Sequence, residues 1–245
     1  MNSELKLRKD VDTGVWRIVR WIEAAPGPRS QTTGLEEGFS ESDIESAHRS
    51  EEVKLPQPKT EGVVSVEEAL SGRRSIREYS HQALSLQEVG QILWAAQGIT
   101  SPRGFRTAPS AGGKYPIVLY LVASNVDGLA PGVYCYDPEA HTLRSLMRGD
   151  WRRHFYDVAG ERLPVLRGAM NLVITATYER SKAKYADSWE QYVHIEVGCV
   201  VQNVYLQAEA LGLGTVVIGA FDPDKVKEFW GTDLVPLAIM PIGKR

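Results

Sequence analysis

The sequence lacks most features that mark a secreted, membrane-spanning or nucleic-acid-binding protein. Only two of its 245 residues are cysteines, Cys135 and Cys199, and they have no paired spacing. We therefore expect no disulfide framework and no zinc ribbon, and we expect a reducing, cytoplasmic compartment. No apolar run reaches about 18 residues, so no membrane span is predicted, and the charged start MNSELKLRKD lacks the apolar core of a secretory signal. The formal net charge of -3 argues against a nucleic-acid partner.

Several well-known catalytic motifs are also missing. The chain contains no His-Glu-x-x-His, no Gly-x-Ser-x-Gly and no Walker loop, so neither hydrolase nor NTPase chemistry is indicated. His194 opens a His-Ile-Glu run like that of zinc deaminases, but no Pro-Cys-x-x-Cys follows, and we expect no metal site. Glycines at 212, 214 and 219 follow a predicted helix rather than a strand. This order excludes a Rossmann dinucleotide site.

What is present is an ordinary globular composition, with 43% hydrophobic and 24% charged residues. Residues 1–62 form a distinct segment with two Pro-rich stretches, at 24–34 and 55–62, which are loop signals. We interpret 1–62 as an N-terminal arm that packs on the body or on a partner subunit, the alternative being a disordered tail. The body is predicted to span residues 63–245.

The body mixes strand and helix patterns without strict alternation, which predicts an α+β fold. Two Ser-x-x-Glu capping boxes, at Ser65 and Ser85, predict helix starts. The longest helical pattern covers 188–211 and is stopped by Gly212. The predicted strands are 117–123, 132–136, 141–146, 171–178, 216–218 and 234–242, and a short helix is expected at 222–230.

Three local clusters are candidates for chemistry. The run RRSIR at 73–77 offers three guanidiniums and a hydroxyl, a donor set that suits a phosphate dianion; a solvated basic turn is the alternative. The loop at 106–116 has small residues at 110–113 that would let its backbone approach a flat ligand, unless it is a plain surface loop. Lys184 and Tyr185 could act as a base and a proton donor if the lysine is buried, or could be two exposed loop residues.

Together these clusters resemble the nitroreductase superfamily of FMN-dependent oxidoreductases over residues 63–245. The resemblance rests on four ordered motifs: Arg-x-Ser-x-Arg at 73–77, Pro-Ser-Ala-Gly at 109–112, Gly-Ala-Phe-Asp at 219–222 and Pro-x-Gly-Lys-Arg at 241–245. It implies a mixed β-sheet flanked by helices in an intertwined homodimer, with FMN sites between the subunits. The cofactor-binding residues it implies are Arg73, Arg74, Ser75, Arg77, Pro109, Ser110, Ala111, Gly112, Gly219, Ala220 and one of Lys244 and Arg245.

Finer features are similar to the azoline (thiazole/oxazole-forming) dehydrogenase branch, including Leu93–Thr100 and the Gly132-Val133-Tyr134 run. That branch implies Lys184 and Tyr185 as the catalytic pair, although the chain continues with Ala186 where the branch has glycine, and has Cys199 where a histidine is frequent. On this resemblance a small substrate would lose hydride to FMN N5 and a proton to Lys184 or Tyr185. The alternatives are an NAD(P)H-dependent nitro or flavin reductase, which needs only a stacking slot, and a non-catalytic flavin-binding or interaction module.

Overall fold

The computed structural model describes residues 3–9, 16–22, 52–230 and 232–245. It divides into two compact units, one of residues 1–50 with 230–232 and one of residues 51–229 with 233–245. The small unit contains strands β1 (Ser3–Lys9) and β2 (Trp16–Ile22), which pair antiparallel with Ser3 opposite Ile22. Up to position 51, all other residues of the predicted arm lie outside the described residues.

The large unit carries the remaining described elements. Its strands are β3 (Glu52–Lys54), β4 (Leu84–Ser85), β5 (Ile117–Ala123), β6 (Val126–Asp127), β7 (Gly132–Asp137), β8 (Thr142–Arg148), β9 (Met170–Ala176), β10 (Leu213–Thr215) and β11 (Val235–Lys244). Its helices are α1 (Val66–Gly72), α2 (Leu86–Gln97), α3 (Arg152–Val158), α4 (Leu163–Arg167), α5 (Glu179–Lys182), α6 (Trp189–Ala210) and α7 (Pro223–Trp230). A single 3-10 turn, Ala111–Gly113, lies in the loop before β5.

A seven-stranded sheet organises this unit, in the order β10-β11-β9-β5-β7-β8-β3. Neighbouring strands in it pair antiparallel, and the central register places Tyr120 of β5 opposite Val173 of β9 and Cys135 of β7. Every residue of β9 is buried. A strand buried on both faces needs cover on both faces, which the helices provide.

The two faces of the sheet are distinguished by residue alternation along β5. Ile117, Leu119 and Leu121 belong to the core cluster that includes the buried residues of α2 and α6. The intervening Tyr120 and Val122 are also buried but lie outside that cluster. Successive strand residues point to opposite faces, so helices lie on both sides of the sheet, and α6 lies against α2 on one side.

The α+β prediction is confirmed, as is a large sheet flanked by helices. Both capping boxes form: the Ser65 and Ser85 hydroxyls accept from the backbone N–H three residues later, and Glu68 and Glu88 accept in return. The long helix runs from Trp189 to Ala210, and Gly212 follows it with φ of 69°, a conformation that favours glycine.

The predicted strand at 216–218 is wrong in position, because the ladder with β11 is formed by Leu213–Thr215. The register would place Val216 opposite Pro241, which has no N–H to donate. The N–H of Val217 donates to Tyr205 Oη at 2.8 Å instead of to the sheet. Pairing resumes only as an isolated bridge between Ile218 and Ile239.

Residues 52–62, part of the predicted arm, are joined to the large unit. Glu52–Lys54 pair with β8, and Leu55 is buried in the core. The Lys59 backbone N–H donates to Gln91 Oε1 on α2 at 2.8 Å. The division of the chain into units therefore falls near residue 50, before the predicted boundary at 62. In the described part of the chain, no helix combines the length and apolarity needed to span a bilayer.

Candidate functional site

The 73–77 segment follows α1 and is anchored by its middle residue. Ile76 donates its backbone N–H to Thr215 O of β10 at 2.8 Å, and its side chain occupies the space a methyl group would need on Gly214. Ser75 and Arg77, on either side of Ile76, are both exposed residues. Anchored Ile76 is thus flanked by a hydroxyl and a guanidinium that are accessible from solvent.

Tyr205, near the C-terminal end of α6, connects this segment to the rest of the site. Its hydroxyl lies 3.0 Å from Ser75 Oγ and accepts from the Val217 N–H. The guanidinium of Arg73 lies over its ring, with Cζ 5.1 Å from the centroid. The Tyr205 side chain therefore links α6 to two other parts of the chain, the 73–77 segment and Val217.

The remaining two arginines of the segment differ in what they contact. Arg74 Nη1 donates to the carbonyls of Ser71 and Arg73 at 3.0 and 2.7 Å, so it is folded back on its own backbone. Arg77 Nη1 donates to Ser75 O at 3.3 Å. Arg77 is therefore held by one contact with the Ser75 backbone carbonyl.

The two C-terminal basic residues are separated by strand alternation. Arg245 forms an ion pair with Glu209, one helical turn after Tyr205, and donates to Leu213 O at 3.0 Å. Lys244 points the other way and pairs with Glu88 at the start of α2. Since the Glu209 carboxylate also lies against Gly72, Arg245 is the member of the pair on the side of Arg73.

Gly219 and Ala220 lie just beyond the Val217 contact with Tyr205. Both are exposed, and the space where a Gly219 side chain would stand is empty within 4 Å. Within the described ranges, neither backbone N–H has a hydrogen-bond partner, whereas Ala220 O accepts from the Arg162 guanidinium at 3.3 and 3.4 Å. Two exposed N–H donors thus lie two and three residues beyond the Val217 contact with Tyr205.

The 109–112 loop meets the Lys184–Tyr185 pair. Gly112 has φ of 58°, and a methyl group added to it would collide with Lys184 Nζ and Tyr185 Oη. Ser110 Oγ accepts from the Tyr115 N–H at 2.9 Å, which fixes the start of the 3-10 turn. The sequence predicted both clusters independently, and the fold brings them into contact within one chain.

The two members of that pair differ in exposure. Lys184 is exposed and Tyr185 is half-buried, with its ring 4.8 Å from the ring of Tyr192. The burial on which a lysine base depends is therefore not provided by this chain alone. Pro109 is exposed, while Ala108 before it is fully buried and holds the loop to the core.

The two clusters occupy different levels of α6. Tyr205 contacts the 73–77 segment, whereas Glu196 lies near Ser110. Nine helical residues separate them, which is about 13 Å along the axis. The phosphate-type donors and the 109–112 loop of one chain therefore do not surround a single point.

Sequence reasoning missed the polar residues of α6 that organise both clusters. Tyr205 is 6% exposed and Glu196 is 2% exposed. The available signal was their position: Glu196 falls three residues after Val193 and four before Val200, on the apolar face. A buried carboxyl or tyrosine hydroxyl requires partners, which makes such a residue a site candidate. His194 is exposed, and no cluster of His, Cys, Asp or Glu suited to a metal occurs among the described residues.

Comparison with known proteins identifies the family. Residues 70–244 match the model of the nitroreductase family. A Methanocaldococcus jannaschii protein provisionally named a nitroreductase is 40% identical over 194 residues, which is 79% of this chain and 96% of that protein. The chain belongs to the nitroreductase family.

Solved structures agree with this assignment. A protein of Ralstonia eutropha JMP134, also provisionally named a nitroreductase, is 29% identical with a TM-score of 0.69, covering 81% of this chain and 90% of that one. The Escherichia coli microcin synthetase McbBCD complex, solved with truncated pro-MccB17 bound, has a TM-score of 0.61 at 21% identity, over 86% of this chain and 84% of that one. The second likeness shows the fold alone.

Proposed function

We propose that this protein is an FMN-dependent oxidoreductase whose FMN phosphate is held by Arg73, Ser75, Arg77 and Arg245. The observation that carries the proposal is the Tyr205 contact with both Ser75 and Arg73. Membership of the nitroreductase family supports the reaction class.

The donor chemistry fits a phosphate monoester. Because Tyr205 Oη already accepts from Val217, its proton is free to donate to Ser75 Oγ. That arrangement leaves the Ser75 proton for a phosphate oxygen. Arg73 and Arg77 lie two residues before and after Ser75 in the chain, and guanidinium forks suit phosphate geometry. Arg74 is tied to backbone carbonyls, so we assign it a smaller part than the sequence suggested.

The exposed N–H groups of Gly219 and Ala220 suit the polar edge of the isoalloxazine ring. They follow Val217, which is fixed by Tyr205, so the ring edge and the phosphate would be oriented from one anchor. We assign the 109–112 loop to ring contact from the partner subunit, as the resemblance to the nitroreductase family implies. Bound FMN would supply two-electron redox chemistry at N5.

We assign proton handling at the substrate to Lys184 Nζ or Tyr185 Oη. Their contact with Gly112 supports this role, because it holds both groups beside the loop proposed to line the ring. This assignment follows the azoline-dehydrogenase branch and makes the reaction a dehydrogenation of a small organic molecule. Replacing Lys184 with Met should then abolish turnover while FMN stays bound.

The second candidate is an NAD(P)H-dependent nitro or flavin reductase. The exposure of Lys184 favours it, because that reaction needs no buried base and only a slot in which the nicotinamide stacks on the ring. Under this alternative the Lys184→Met variant would keep its rate.

We also propose a homodimer with shared FMN sites. Helix α6 is the candidate centre of the interface, since Ile195 is 56% exposed on it and Gly198 beside it is exposed without a side chain. An exposed large apolar side chain next to a flat helix surface is typical of a packing face. Light scattering of the FMN-bound protein should give twice the chain mass, and an FMN-bound monomer would exclude shared sites.

The function is tested by the visible spectrum of the purified protein and its response to reductants without oxygen. We expect flavin absorbance in the wild type and its loss in an Arg73→Gln/Arg77→Gln variant. Rapid bleaching by NADPH or NADH supports the reductase; bleaching only by an organic substrate supports the dehydrogenase. A colourless protein that takes up no added FMN would contradict both.

A further inference from the structure

A buried carboxyl lies behind the 109–112 loop and has no part in the proposed flavin contacts. Glu196, in the middle of α6, is 2% exposed, and its Oε1 has no hydrogen-bond partner in the described residues. Leaving a buried polar atom unpaired destabilises a fold, and such atoms in native proteins usually have a function or bind water.

Two unpaired donors lie in the same place. Gln97 Nε2 and Arg106 Nε are both buried and have no partner among the described residues. They belong together, because Arg106 Nη1 donates to Gln97 Oε1 at 2.8 Å and both residues act on the Glu196 carboxyl. One acceptor and two donors of neighbouring residues are thus left open, a set of partners that suits an ordered water molecule.

Ser110 connects this cluster to the loop surface. Its hydroxyl approaches the Glu196 carboxyl, while Ser110 Oγ accepts from the Tyr115 N–H. A hydroxyl has one proton and two lone pairs. A Ser110 proton turned toward Glu196 leaves one lone pair for a ligand on the loop, because the other lone pair accepts from Tyr115.

We propose that Glu196 is the proton reservoir of this site and exchanges one proton with the bound ligand through the Ser110 hydroxyl. When the ligand releases a proton to Ser110 Oγ, the proton already on Ser110 passes to the Glu196 carboxylate, so one O–H bond forms as another breaks. The reverse sequence returns the proton to the ligand. Glu196 acts through Ser110 and is a positioning and relay residue.

The proton affinity of the group suits this role. Burial raises the pKa of Glu196 to about 7, while contacts with Ser110 and Gln97 and the charge of Arg106 oppose the rise. Both protonation states are then populated near neutral pH, as a reservoir requires.

The charged and titratable groups around the carboxyl come from several elements. The charge of Arg106 acts on the Glu196 carboxyl, and Arg106 also stacks on Tyr115 with its Cζ 4.6 Å from the ring centroid. The charges of Arg180 and Glu139 act in turn on Arg106. Lys184 and Tyr185 touch the 109–112 loop at Gly112.

The inference rests on the proposed function for its ligand, but its first test does not. In FMN-free protein labelled with 13C-glutamate, one carboxyl resonance should titrate near pH 7 and be absent from Glu196→Gln. Glu190, exposed on the same helix, provides the matched control Glu190→Gln, which should keep that resonance. A Glu196 carboxyl that titrates in the ordinary range of pH 4 to 5 would overturn the proposal.

The second test uses the FMN-bound protein. We expect Glu196→Gln to keep bound FMN, to lose the ionisation near pH 7 from the pH profile of flavin reduction, and to react at least tenfold more slowly. Glu196→Asp should restore part of the ionisation and part of the rate. If Glu196→Gln does not fold, Ser110→Ala should give the same altered pH profile. An unchanged profile in these variants would overturn the relay. Failure of the wild type to bind FMN would instead remove the proposed function and leave the carboxyl titration standing.

Discussion

The hydroxyl of Tyr205 lies 3.0 Å from the hydroxyl of Ser75, although 130 residues separate them in the chain. Because Tyr205 also accepts from the Val217 N–H at 2.8 Å, the last turns of α6 fix the 73–77 segment and the chain between β10 and Gly219 at the same time. The geometry of the proposed phosphate site therefore depends on a side chain that does not itself need to touch phosphate.

Replacing Tyr205 with Phe should weaken FMN binding by about 5- to 30-fold, from the loss of one oriented hydroxyl worth about 1–2 kcal/mol. Isothermal calorimetry with FMN measures this change. Tyr156 is a matched control, because Arg153 lies over its ring at the same 5.1 Å. If Tyr156→Phe lowers FMN affinity as much as Tyr205→Phe does, the effect is not local to the site.

The arginines of the 73–77 segment should contribute unequally. We expect Arg73→Gln and Arg77→Gln each to weaken FMN binding by about 10- to 100-fold, since a charged hydrogen bond is worth about 1.5–3 kcal/mol. Arg74→Gln should have a smaller effect, because Arg74 donates to the Ser71 and Arg73 carbonyls. Fluorescence quenching of added FMN gives the three affinities, and equal losses would contradict the assignment.

Gly112 and Gly113 form a natural pair of test positions. Both have positive φ, of 58° and 63°, so alanine is strained at either. Only at Gly112 would the new methyl group displace Lys184 and Tyr185, since nothing lies within 4 Å at Gly113.

We therefore expect Gly112→Ala to lower kcat by at least tenfold and Gly113→Ala to lower mainly stability. Steady-state kinetics and thermal unfolding of both variants separate the two effects. Similar kcat values would show that the contact of Gly112 with the pair has no part in turnover.

The Lys244–Glu88 pair should make stability depend on pH. Although burial alone would raise the pKa of Glu88, hydrogen bonds from Lys244 and Ser85 lower it below its usual 4.5. The charged form therefore contributes stability that is complete above about pH 4.5 and is lost as pH falls through the lower folded-state pKa.

Glu88→Gln should consequently destabilise the protein by about 1–2 kcal/mol at pH 7 and by progressively less in acid. Urea unfolding at several pH values measures this difference. Glu68 has the same capping box but no lysine partner among its contacts, so Glu68→Gln is the matched control. A Glu88→Gln effect that stays constant down to pH 3 would contradict the pairing.

Sequence patterns predicted the parts of this fold that depend on local physics. The two capping boxes, the helix before Gly212 and strand β5 follow from spacing within a few residues. The strand at 216–218 was misplaced because its pairing depends on Pro241 and Tyr205, which are distant in sequence. The short helices α3, α4 and α5 were not predicted, since four to seven residues carry too little periodicity to be recognised.

In the candidate site too, local features could be predicted and contacts between distant residues could not. Residue type and order pointed to the 73–77 segment, the 109–112 loop and the Lys184–Tyr185 pair, because each cluster is contiguous. Which segments Tyr205 and Glu196 contact could not be predicted, because a polar residue on an apolar helix face does not reveal which distant loop lies against it. The same holds for the choice between Lys244 and Arg245, which depends on where Glu88 and Glu209 lie.

The central claim is that this chain holds a flavin by its phosphate, and a comparison of FMN with riboflavin, which lacks the phosphate, tests it most directly. Flavin-free wild-type protein should bind FMN at least 100-fold more tightly than riboflavin in calorimetric titrations, and Arg73→Gln/Arg77→Gln should reduce that preference to below tenfold. Equal affinities for the two flavins in the wild type, or no binding of either, would contradict the account.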